Sequence, residues 1–163
     1  MPDHVPSLSK LGALLIDLGR PRDAIVYLER ALAVNPTPGD WTAYGVALAL
    51  DGRHDEALSA FDVSLIFEPD QTEARINKAG TLITAGRYAD AVPELRAVLE
   101  RDPRSVVAQT NLAMAYAGLG QDVVLLGVLN RVEVWSKDKW TQEIAYMLRQ
   151  SHTSSPELAS RGI

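Results

Sequence analysis

An all-α fold is predicted for this chain, built as a short solenoid of repeated helix pairs. Three observations predict it. Gly19, Gly52, Gly86 and Gly120 recur at intervals of 33, 34 and 34 residues. Pro36, Pro69 and Pro103 keep the same beat between them. Within each segment the apolar residues step by three and four, the spacing of an amphipathic helix. A period of this length means one supersecondary unit copied several times.

The elements follow in order. The first unit, about 5–37, reads as helices over 5–18 and 21–34, with Leu8, Leu11, Gly12 and Leu15 in the first and Ala24 and Leu28 in the second. The second, 38–70, reads as helices over 40–51 and 54–67, with Trp41, Tyr44, Gly45 and Leu48, then Ala57 and Phe61. The third, 71–104, reads as helices over 72–85 and 88–101, with Arg75, Lys78, Ala79 and Leu82, then Ala91 and Leu95. The fourth, 105–137, reads as helices over 105–119 and 122–134, with Gln109, Leu112, Ala113 and Tyr116, then Leu125 and Leu129. It is degenerate: Leu125 stands where a small Ala is due and Lys137 where Pro is due. A last helix over 138–150, carrying Trp140, Ile144 and Met147 or Leu148 on one stripe, is expected to cap the open apolar end. Residues 1–150 thus form one domain, and the Ser-rich tail 151–163 is expected to be disordered.

The punctuation has mechanical reasons. The periodic Gly follows the first helix of each pair, where a left-handed residue is needed. Pro21 suits a helix start. Pro36, Pro69 and Pro103 close the second helices. The small residues Gly12, Gly45, Ala79 and Ala113 let paired helices approach, and Ala24, Ala57 and Ala91 do the same from the other side. Pro93 is the one local conflict, since it falls inside the sixth helix; a place in the first turn and a kink both remain open.

Quoted together, Trp41-x-x-Tyr44-Gly45-x-x-Leu48, then Ala57-x-x-x-Phe61, then Pro69, resemble the tetratricopeptide repeat, and the other three segments follow the same scheme over roughly residues 5–137. The resemblance implies a right-handed superhelical α-solenoid whose first helices line a concave side and whose second helices face out. It also implies a protein or peptide partner held in that groove.

Bulk properties narrow the function. Of 163 residues, 16 are Lys or Arg and 21 are Asp or Glu, a formal charge of −5. That balance disfavours nucleic acid or an anionic membrane as the partner. No Cys is present, which excludes disulfides and thiolate chemistry. The N-terminus lacks the basic and apolar regions of a secretory signal, and no stretch approaches the ~20 apolar residues of a membrane span. A cytoplasmic protein is the simplest reading, and the Met start and Ser-rich end read as those of a complete chain.

No catalytic constellation emerges, and no metal or cofactor is expected. His4, His54 and His152 sit in separate segments and read as exposed, solvated side chains. Asp55 and Glu56 open the fourth helix, where acids favour the positive end of the helix dipole. Trp41, Tyr44, Phe61 and Tyr116 fall at or beside packing positions; Trp135 and Trp140 read as buried under the terminal helix, with an exposed anchor for a partner or a second copy of the chain as the alternative.

Function is therefore expected on the concave side, as a non-catalytic scaffold or adaptor. Its candidate groove residues are Lys10, Ala13 and Asp17; Thr42, Val46 and Leu50; Ile76, Asn77 and Ile83; and Thr110, Asn111 and Met114. The set is small-sided, largely neutral and partly apolar. Asn side chains can bond the main chain of an extended segment with both donor and acceptor; the alternative reading of Asn77 and Asn111 is as ordinary repeat residues bonding a neighbouring helix. The resemblance also brings to mind a basic clamp for a partner's C-terminal carboxylate, drawing on Lys10, Asn77 and Asn111, but Ala43 occupies one of its places and no Arg joins the stripes. Two further readings stand beside the scaffold: self-association through the C-terminal repeat and helix, giving a homo-oligomer, and a regulatory module of a larger enzyme.

Overall fold

The computed structural model describes residues 5–120, 123–128, 131–136, 138–139 and 141–146. Seven α-helices are found among the described residues: α1 (Val5–Asp17), α2 (Pro21–Val34), α3 (Pro38–Leu50), α4 (His54–Phe67), α5 (Thr72–Thr84), α6 (Tyr88–Arg101) and α7 (Val106–Gly118). They stack as consecutive antiparallel pairs, α1 with α2, α3 with α4 and α5 with α6, and each pair packs on the next. This is the α-solenoid that the periodicity predicts.

The punctuation works as expected. Gly19, Gly52, Gly86 and Gly120 all adopt positive φ, between 68° and 84°. Pro21 occupies the first turn of α2. Helices α2, α4 and α6 end two residues before Pro36, Pro69 and Pro103, because the residue preceding a proline is pushed out of the helical region. Two N-caps were not read from the sequence. The Thr37 hydroxyl accepts from the Asp40 backbone N–H and so starts α3 at Pro38, and the Ser105 hydroxyl accepts from Ala108 N–H at the start of α7. Pro93 lies in the second turn of α6, which runs through it to Arg101.

The core forms where the small residues allow contact. A Cβ on Gly12 would stand 2.5 Å from Leu28 Cγ, and one on Gly45 2.6 Å from Phe61 Cε1. Leu28 and Phe61 are both fully buried as a result. One apolar cluster joins Leu15, Leu28, Leu48 and Phe61, and a second joins Leu82, Leu95, Val98, Leu112 and Tyr116. Ion pairs tie neighbouring repeats from outside. Arg22 meets Asp51 at 2.7 Å, Lys78 meets Asp62 at 2.7 Å and, within its own repeat, Glu94 at 2.6 Å, and Arg101 reaches Asp70.

The expected helix over 122–134 is corrected. Residues Val123–Val128 (β1) and Arg131–Ser136 (β2) form an antiparallel pair, with Val123 opposite Ser136 and Val128 opposite Arg131. The physical reason is in the residues. Valines at 123, 124, 128, 132 and 134 favour a strand, Gly127 costs a helix interior ~1 kcal/mol, and Arg131-Val132-Glu133-Val134 alternates with period two. The bulky Leu125 also replaces the small residue that a tight helix pair needs. The pair packs at the end of the array, against α7. Helical backbone recurs at 138–139 and 141–146. Residues 147–163 and Trp140 lie outside the described residues, as does the expected tail.

Candidate functional site

Helices α1, α3, α5 and α7 contact one another in succession and form the inner side of the solenoid. Between α3, α5 and α7 lies a hollow of about 520 Å³. Its walls are Val46, Ala49 and Leu50 from α3, Ile76, Asn77, Gly80, Thr81 and Thr84 from α5, and Val107 and Asn111 from α7, with Phe61 below and His54 at the edge. Helical spacing puts these residues together: Val46 and Leu50 are four apart, as are Ile76 and Gly80, and Gly80 and Thr84, so each set forms one stripe. Gly80 has open space where a Cβ would stand, which widens the hollow at its middle.

Five of the sequence-predicted residues meet there: Val46, Leu50, Ile76, Asn77 and Asn111. Lys10, Ala13 and Asp17 are exposed on α1, and Thr110 and Met114 are exposed on α7, all beyond the hollow's lining. Two placements are corrected. Thr42 is 2% exposed. Its hydroxyl lies 2.8 Å from Ser64 Oγ and 2.8 Å from Gln71 Oε1, and it donates to the Pro38 carbonyl. Ile83 is buried in the core around Leu82 and Leu95. The reason is shared: Thr42 precedes Gly45 by three residues and Ile83 follows Ala79 by four, so both fall on the face that packs against the paired helix.

Among the lining residues that sequence reasoning did not assign to the groove, two enter from unexpected places. Val107 enters the hollow from the first turn of α7, at a place where the preceding repeat carries Glu73, so no repeat pattern marks it. His54, read as a solvated side chain, is half-buried at the first turn of α4, and its Nδ1 is enclosed with no hydrogen-bond partner among the described residues. It comes from a second helix, so a search confined to first-helix stripes passes over it.

The hollow's chemistry is mild. Its lining carries no Lys or Arg and no carboxylate. Charge is placed elsewhere. On the outer side Lys78 bridges Asp62 and Glu94; burial favours its neutral amine, yet these hydrogen bonds outweigh burial and raise its pKa. Burial, followed by the hydrogen bond to Glu29, pushes the Tyr44 phenol up. Among the described residues no group of three His, Asp or Glu could hold a metal ion, and no helix is long and apolar enough to cross a membrane.

Stacked helix pairs with a neutral inner hollow define the class: a helical-repeat solenoid. Two models of the tetratricopeptide repeat family match residues 9–73 and 48–109, together more than half of the chain. The chain belongs to the tetratricopeptide repeat family. Superkiller protein 3 of Schizosaccharomyces pombe is 29% identical over 147 residues, covering 90% of this chain but 10% of its own length. Among solved structures, MamA residues 41-end from Desulfovibrio magneticus RS-1 is 28% identical, with a TM-score of 0.66 over 72% of this chain and 67% of that one. The first repeat domain of Spaghetti (RPAP3) bound to an HSP90 peptide has a TM-score of 0.67 at 18% identity, over 71% of this chain and 95% of that one; that likeness is one of fold.

Proposed function

We propose that this chain is a non-catalytic scaffold or adaptor that holds an extended or helical segment of a partner protein in the hollow between α3, α5 and α7. The observation that carries the proposal is the composition of that hollow. Val46, Leu50, Ile76 and Val107 offer apolar walls, while Asn77 and Asn111 stand on adjacent helices with amides that can bond a main chain from either side. The RPAP3 domain bound to an HSP90 peptide supports the reading, because a domain of the same fold holds a peptide. The partner segment is internal and apolar rather than a free C-terminus, since a carboxylate is best held by charged donors and the lining supplies none.

The test is selection from a displayed library of random peptides, with peptides presented both internally and at a free C-terminus. The chain should enrich apolar peptides without a requirement for a free terminus. Val46→Glu, and separately Asn77→Ala with Asn111→Ala, should abolish that enrichment while far-UV circular dichroism stays unchanged. Enrichment that survives both variants, or that depends on a C-terminal carboxylate, refutes the proposal. Turnover of a substrate by the purified chain, lost on changing one polar residue, refutes its non-catalytic part.

A further inference from the structure

Every repeat junction in this chain covers the same two positions of the incoming first helix, the second fully and the first at least in part. They are Tyr44 and Ala47 in α3, Lys78 and Thr81 in α5, and Leu112 and Ala115 in α7. Ala47 and Ala115 are 0% exposed and Leu112 is 2% exposed. Tyr44 donates back to Glu29 of α2, and Lys78 reaches back to Asp62 of α4, so the preceding repeat's second helix borders this face. The matching positions in α1 are Leu11 and Leu14; Leu18, just past the end of α1, extends the row by a turn to a position that the third and fourth repeats leave exposed at Ala85 and Leu119. These three are 36%, 52% and 62% exposed. The face that three junctions cover is bare on α1, and there it is wholly leucine.

Spacing and charge say what covers it. Leu11, Leu14 and Leu18 keep the three-and-four step of a helix-pairing seam. Leu8 and Leu15, on one side of the row, are buried within the chain. Lys10 and Asp17, on the other side, are exposed, and neither has an ion-pair partner among the described residues. They stand one heptad apart with opposite sign. Such a pair is self-complementary only when two copies of the helix run antiparallel, where the same flank of each helix faces the other; in a parallel pairing this flank would face the partner's opposite flank, which carries Leu8 and Leu15.

We propose that this stripe is covered by the same stripe of a second copy of the chain, the two α1 helices crossing antiparallel about a two-fold axis. Leu11 packs on the partner's Leu14, and Lys10 meets the partner's Asp17. Head-to-tail stacking of copies is disfavoured, because β1 and β2 follow α7 where a second-helix face would be needed to dock on α1. Three leucines from each copy make less than a standard interface, so the pairing is reversible and concentration-dependent. It is independent of what fills the concave hollow.

Sedimentation equilibrium of the full chain between about 1 µM and about 1 mM tests it. The wild type should pass from monomer to dimer over that range. Leu14→Glu and Leu18→Glu, both at exposed sites, should each remain monomeric with unchanged circular dichroism. Lys10→Asp and Asp17→Lys should each move the midpoint to about tenfold higher concentration, since each turns two attractive pairs repulsive. The double variant Lys10→Asp/Asp17→Lys should return to the wild-type midpoint. A wild type that is monomeric throughout overturns the proposal and leaves the stripe to a helix of another protein. A dimer that persists in both glutamate variants, or a double variant that recovers nothing, overturns it as well.

Discussion

Gly45 and Gly80 sit in the first helices of successive repeats, yet the same substitution should act on them with opposite sign. In Gly45→Ala the new methyl would stand 2.6, 2.8 and 2.9 Å from three carbons of the Phe61 ring. Phe61 is 0% exposed, so the ring cannot swing into solvent, and its movement spreads into Leu28 and Leu48. Overpacking of this kind costs about 1–3 kcal/mol, and the better helix propensity of Ala returns about 1 kcal/mol. A net loss of up to about 2 kcal/mol follows, or a fall in Tm of up to about 8 °C for a chain of this size. In Gly80→Ala the methyl meets nothing within 4 Å, so only the propensity term acts and Tm should rise by about 2–4 °C. The assay is thermal unfolding by far-UV circular dichroism, with urea midpoints as a second measure. Adding Phe61→Leu to Gly45→Ala should cost less than the two single changes summed, because the clash is relieved. Gly45→Ala melting at or above wild type, or Gly80→Ala melting below it, would refute the packing argument.

Two more predictions follow from the buried polar groups. Thr42→Val keeps the shape but removes the hydroxyl bonded to Ser64, Gln71 and the Pro38 carbonyl; a loss of about 1–3 kcal/mol is expected from the partners left unsatisfied, read as a lower urea midpoint at unchanged slope. Lys78 has a folded pKa above its ordinary 10.5, so its stabilisation is fully present below 10.5 and is lost as pH rises through the folded value. Alkaline melting curves should therefore fall more steeply for wild type than for Lys78→Met; the raised Tyr44 phenol adds a contribution of the same sign that Lys78→Met leaves in place.

Much of the architecture was legible because the repeat writes each rule several times. α4 and α6 fall on the expected residues, and the positive-φ glycines occur at all four expected places. A single α-helix start is ambiguous, but three copies with the same Gly, the same small contact residue and the same closing Pro leave one consistent reading. The site was legible in part. Val46, Leu50, Ile76, Asn77 and Asn111 line the hollow because one stripe of a helix faces it. Thr42 and Ile83 do not, because they lie at the boundary between that stripe and the packing face, where about 40° of rotation separates buried from open.

Periodicity, Gly and Pro placement, and the small-residue positions are local or repeated signals, and they determined the solenoid and its pairing; which helices line the concave side came from the family resemblance. Three things needed the folded chain. The strand pair at 123–136 depended on competition between a weak helical step and a run of valines, which packing against α7 accompanies. The entry of His54 and Val107 into the hollow depended on how successive repeats are rotated relative to one another. The bare leucine row on α1 became visible only when the three covered junctions could be set beside it. The last two depend on contacts between elements distant in sequence, which no spacing within one repeat encodes.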